Sequence, residues 1–211
     1  MQSPDRDKRR FRIASCSTAL IFLSALLIFS ASALDAGYFV YDNATGYHAA
    51  VEILDSDRFD FIRPGFMGEK VPLEVSNITL LYENQTSAEF KHAGRRISFE
   101  SGNYTVLFDA RLSDNNFQAI FDTIYNVTLH LPAGYDVRNP LLGMVSTGGS
   151  VSTATINENE TIVIEWTKKT FCEARFYDQF QVQLLTIFGT FWIALAAVFL
   201  VPYILTRNRE E

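Results

Sequence analysis

Between Leu184 and Leu205 lie 22 residues without a charge, LLTIFGTFWIALAAVFLVPYIL. As a helix rising about 1.5 Å per residue, this run is long enough to cross a hydrocarbon core of about 30 Å. Its polar members are Thr186, Thr190 and Tyr203, none charged at neutral pH, so it reads as an anchor and not as a transport path. Residues 182–205 are therefore expected to be a transmembrane helix, with 206–211 as a short tail holding Arg207 and Arg209. Whatever precedes it must end at a bilayer.

A second apolar stretch, ALIFLSALLIF at 19–29, follows five bases within residues 1–12. Its shortness fits the core of an export signal, and Ala31-Ser32-Ala33 supplies the small-x-small pattern that a signal peptidase accepts. Residues 1–33 are expected to be a signal peptide cut between Ala33 and Leu34; the alternative is a retained signal anchor. Basic residues stay on the cytoplasmic side, and both basic ends then place residues 34–181 outside the cell membrane and the C-terminus in the cytoplasm.

The expected exterior domain carries 20 acids and 11 bases, a net charge of −9. That balance argues against nucleic-acid binding, which needs a basic footprint. It also carries N-x-Thr sequons at Asn43, Asn77, Asn84, Asn103, Asn126 and Asn159. Six of its ten asparagines fall in such sequons, against about one or two by composition, which reads as an N-glycosylated surface.

Alternation of period 2 dominates the domain. Tyr104, Val106, Phe108 and Ala110 alternate with mostly polar residues, as do Tyr125, Val127, Leu129 and Leu131, and Ile162, Ile164 and Trp166. Further strands are expected at 47–54, 70–82, 86–91, 95–100 and 171–177, with turns at Asp42-Asn43, Pro64-Gly65, Glu83-Asn84, Ser101-Gly102, Asn139-Pro140 and Gly148-Gly149. Only 113–122 looks helical. The fold class expected is mainly β, an immunoglobulin-like β-sandwich. In three sequons, Asn77/Thr79, Asn103/Thr105 and Asn126/Thr128, the alternation places both residues on the polar face.

Catalytic and metal patterns are thin. His48, His92 and His130 lack the i, i+4 spacing of a helical zinc site, and His130 reads as a solvated surface histidine. Asp55, Asp57 and Asp60 lack the glycine and distal glutamate of a calcium loop and read as a polar turn. Ser146, in GMVSTGG, has Met144 where a nucleophile elbow needs glycine, so a flexible loop is expected. Nothing brings Glu100, Asp109 and Asp122 together. Cys172 shares the apolar face of its strand and is expected to be buried and unpaired. No catalytic residue, metal ligand or cofactor is assigned.

The run NVTLHLPAGYDVRNPLLGMVSTGG and the later ARFYDQFQVQLLTIFGTFWIALAAVFLVPYILTR resemble an uncharacterised family of small membrane-anchored surface proteins from haloarchaea and methanogens. The resemblance covers roughly residues 95–205. It implies an archaeal chain with an export signal or lipid anchor, a β-rich domain and one C-terminal helix, and it carries no activity.

The expected function is non-catalytic: interaction at the cell envelope, or an accessory or scaffold subunit beside another membrane protein or envelope component. The alternative is a surface ligand-binding module for a sugar or a metal ion. The expected contact is the apolar loop at Leu141, Leu142, Met144 and Val145. A hairpin of strands 161–166 and 171–177, turning at Thr167–Thr170, would bring it to the membrane; Leu141 and Leu142 tucked into the domain's own core is the competing reading.

Overall fold

The computed structural model describes residues 33–156 and 159–207; of these, the side chains of residues 156, 159 and 202–207 lie outside the description. The strands are β1 (Leu34–Val40), β2 (Gly46–Asp60), β3 (Ile62–Pro64), β4 (Lys70–Pro72), β5 (Val75–Tyr82), β6 (Ser87–Ala88) and β7 (Lys91–Ala93). They continue with β8 (Arg96–Arg111), β9 (Asn116–His130), β10 (Tyr135–Asp136), β11 (Met144–Val145), β12 (Gly149–Ile156), β13 (Asn159–Arg175) and β14 (Tyr177–Asp178). One helix follows, α1 (Gln179–Arg207).

Most strands join one 10-stranded sheet in the order β11-β13-β9-β1-β2-β8-β5-β6, with β12 also on β13 and β7 on β8. The chain is thus mainly β with one C-terminal apolar helix. Its strands form one continuous sheet and two small ribbons, β3-β4 and β10-β14.

Four strands, β2, β8, β9 and β13, run 15 to 17 residues. Each has a register break near its middle: between Ile53 and Arg58 where β2 meets β8, and between Trp166 and Phe171 where β13 meets β9. Asp55 and Lys168, both at positive φ, sit in these breaks. Such irregularities bend a strand and increase its twist. The apolar parity survives the bend: Ile162, Ile164 and Trp166 before it and Cys172, Ala174 and Phe176 after it are all buried. The sheet therefore folds over its own apolar face.

Phe117 shows the closure directly. Tyr38 of β1 is hydrogen-bond neighbour to Leu129 of β9, twelve residues from Phe117 on the same strand. Yet the Phe117 ring meets Tyr38 at 4.7 Å and Tyr47 at 5.6 Å, both edge-on. Phe117 reaches these rings from the other layer, across the core.

Several expectations change. Strands 95–100 and 104–112 are one strand, β8, so Ser101-Gly102 is a bulge and not a turn. Segments 161–166 and 171–175 likewise belong to one strand, because Thr167–Thr170 is a bulge within β13, while Tyr177 belongs to β14. Residues 113–122 are not helical. Asp114 and Asn115, both at positive φ, make a tight turn closed by Asn116 N–H on the Ser113 carbonyl at 3.0 Å, and β9 follows. β1 and β12 are additional strands.

Candidate functional site

The chain enters α1 through a capped and braced junction. Asp178 Oδ1 accepts the Gln181 N–H at 2.8 Å, an N-cap bond that satisfies one of the helix's free donors. Tyr177 and Asp178 pair with Tyr135 and Asp136 in the β10-β14 ribbon. The buried Tyr177 hydroxyl accepts the Asn139 N–H at 2.9 Å. Asn139 then organises the loop: its side-chain oxygen accepts Leu141 N–H at 2.9 Å, and its carbonyl accepts Leu142 and Gly143 N–H at 3.2 and 2.8 Å. Gly143 is required here, since a Cβ would lie 2.2 Å from the Val137 carbonyl oxygen.

The loop at Leu141, Leu142, Met144 and Val145 thus lies against the residue two before the helix. The predicted hairpin is not what brings it there. β13 runs in one direction through Thr167–Thr170, and the loop arrives because β10 pairs with β14 and β11 with the end of β13, Met144 opposite Arg175. Val145 packs on the core and Leu142 is half-buried, while Leu141 is 77% exposed and Met144 41%. Phe180, in the first turn of α1, is also exposed. Asp136 and Arg138 form a bidentate ion pair beside this loop, Nε–H to Oδ1 at 2.9 Å and Nη2–H to Oδ2 at 2.7 Å. Burial alone would raise the Asp136 carboxyl, but Arg138 and two backbone N–H groups outweigh it and hold it below the usual carboxylate range.

From Gln179 to Val201 the helix offers a 23-residue candidate membrane span, none of it buried, whose most apolar 18-residue stretch has a mean hydropathy of 2.4. At about 1.5 Å per residue that is roughly 34 Å. Thr186 and Thr190 donate their hydroxyls to carbonyls one turn back, so neither needs a partner outside the helix.

The sequons fall into two geometric groups. In the turns, Asn43 Oδ1 accepts both the N–H and the hydroxyl of Thr45, at 3.1 and 2.8 Å, and Asn84 does the same with Thr86, at 3.1 and 2.6 Å. On the sheet's outer face, each Nδ2 donates to a carboxylate: Asn77 to Asp109 at 2.6 Å, Asn103 to Glu83 at 3.2 Å and Asn126 to Asp35 at 3.0 Å. All three point away from the core, with Asn126 half-buried. The Asn159 side chain lies outside the described residues, and so does residues 1–32 of the expected signal; Ala33 and Leu34 open the described part.

The histidines stay apart. His48 Nδ1 meets Asp109 at 2.8 Å, and His92 Nε2 meets the Gly94 carbonyl at 2.8 Å. His130 is not the solvated residue expected. It stacks on Phe39 at 4.5 Å, is half-buried, and its Nδ1 has no partner among the described residues. Burial holds its pKa below the usual histidine value. Asp60 of the acidic cluster is taken by Arg96 in a bidentate pair, and Asp122 pairs with Lys70. No group of three His, Cys, Asp or Glu suited to a metal ion occurs among the described residues.

Ser146 is tied into the fold by hydrogen bonds. Its hydroxyl oxygen accepts Trp166 Nε1–H at 3.1 Å and Glu173 N–H at 3.0 Å, a brace for the core. Cys172 is fully buried and unpaired, and burial pushes its thiol up to about 12. Sequence reasoning missed the pairing of Asn139 with Tyr177, since a turn signal at 139 does not name a partner 38 residues on.

The fold is a bent β-domain braced directly onto one exposed apolar helix that is long enough to span a membrane. The chain belongs to DUF5803, a family of unknown function, whose model matches residues 34–209. No curated protein matches it.

Proposed function

We propose that this is a single-pass archaeal envelope protein whose β-domain stands outside the cell membrane and acts without catalysis, as an interaction or accessory subunit beside another membrane protein. Residues 1–33 serve as the export signal, cut after Ala33. The family match opens at Leu34, the first residue of the mature chain on this reading, and β1 starts there too. Arg207 and Arg209 after the apolar run support a cytoplasmic tail.

The observation that carries the reading is the apolar base: Leu141, Met144 and Phe180 are exposed where the domain meets the helix. Leaving such side chains in water forgoes roughly 1.5–3 kcal/mol each if fully exposed. Lipid or a partner helix recovers it. Leu141→Cys and Met144→Cys variants, exposed to a membrane-impermeant maleimide on intact cells, are expected to label at least several-fold more slowly than Lys91→Cys on β7. Labelling of both as fast as at Lys91 would show a freely solvated loop and end this reading.

The glycans follow the local geometry. Glycopeptide mapping is expected to find Asn43 and Asn84 most fully occupied, because their Nδ2 atoms make no bond among the described residues. Asn126 is expected to be least occupied, because its amide ties Asp35 to the Lys168 bulge. Bare turns beside a fully occupied Asn126 would contradict this.

A further inference from the structure

Three arginines from separate elements line one cleft of about 730 Å³: Arg63 on β3, Arg111 at the end of β8 and Arg175 at the end of β13. Within a domain of net charge −9, none of the three is ion-paired among the described residues; the pairs found there use Asp60, Asp109, Asp122 and Asp136. Glu74 and Asp114 also line the cleft but lie beyond ion-pair distance. The nearby Glu173 is engaged by amides, accepting Gln118 Nε2–H at 2.8 Å and Asn116 Nδ2–H at 3.3 Å. Unpaired guanidinium forks suit an oxyanion. Arg175 also lies three residues before the helix cap Asp178, at most about 11 Å along the chain.

We propose that this cleft binds a phosphate ester of net negative charge, the chemistry shared by a phosphoglycerol lipid headgroup and a soluble glycerol phosphate. The site goes beyond the interaction reading above, since its loss leaves the Leu141 and Met144 labelling result unchanged. The test uses the full chain in nanodiscs of zwitterionic phosphatidylcholine, titrated calorimetrically with glycerol 1-phosphate. Saturable binding is expected, weakened by added salt. Arg111→Gln with Arg175→Gln is expected to weaken it by one to two orders of magnitude. Arg63→Gln alone, on the exposed β3-β4 ribbon, is expected to weaken it several-fold with an unchanged near-ultraviolet circular dichroism spectrum. Arg138→Gln, outside the cleft, should not matter. Nanodiscs containing phosphatidylglycerol separate the sources: suppressed titration assigns the cleft to the headgroup, and equal affinity assigns it to the soluble ester. Absence of saturable binding in phosphatidylcholine, or an equal loss in Arg138→Gln, overturns the proposal.

Discussion

Phe117→Ala is expected to lower the unfolding free energy by about 3–5 kcal/mol, the range for removing a fully buried aromatic ring. Phe117 is completely buried and touches Tyr38 and Tyr47 edge-on from across the core. Such edge contacts add about 0.5–1.5 kcal/mol each beyond burial. The neighbourhood cannot collapse easily, since Tyr38 and Tyr47 are held by the β1-β2 ladder, in which Val40 opposes Tyr47 and Tyr38 opposes Ala49. Phe39 is the control. It faces outward, 46% exposed, and stacks only on His130, so Phe39→Ala should cost about 1 kcal/mol or less. Urea unfolding of both variants in one detergent compares the midpoints directly. A Phe117→Ala loss no larger than that of Phe39→Ala would mean that the two layers are not joined through this ring.

Much of that core was readable from alternation alone. Tyr104, Val106 and Phe108, and Ile162, Ile164 and Trp166, are buried as their period-2 pattern requires. What alternation could not show is that neighbouring strands are continuous. The breaks at Asp55-Ser56-Asp57 and Thr167-Lys168-Lys169-Thr170 are short, polar and at positive φ in places, the same local chemistry as a hairpin turn. β12 escaped for another reason. Its residues are mostly exposed on both faces, so an edge strand of Gly, Ser and Thr presents no periodic apolar signal. The β1-β9 pairing was equally hidden, because Asp35 and Asn126 are parallel neighbours 91 residues apart. The candidate sites divide in the same way. Four apolar residues in a loop are a local anomaly that a sequence displays, whereas arginines at 63, 111 and 175 become a cluster only once the sheet has bent.

Placing arginines at Ala194 and Ala197 is expected to release most of the chain from the carbonate-resistant membrane pellet. Both sites lie near the middle of the apolar run, where each charge costs about 2.5–3.5 kcal/mol on insertion scales and the pair about twice that. The domain offers the helix no alternative shelter, since α1 has contacts with β14 at its start and none of its apolar span is buried. Among the described residues, Phe188, Phe191, Trp192, Ile193, Phe199 and Leu200 all stand exposed, and nothing covers them. A bilayer is the solvent that such a surface fits, and the two threonines add no demand because their hydroxyls are satisfied within the helix. Leucines at 194 and 197 keep the length and raise the hydropathy, so that variant should remain in the pellet. If the arginine variant also stayed there as fully as the wild type, residues 179–201 would be held by something other than lipid, and the membrane-spanning reading would have to be abandoned.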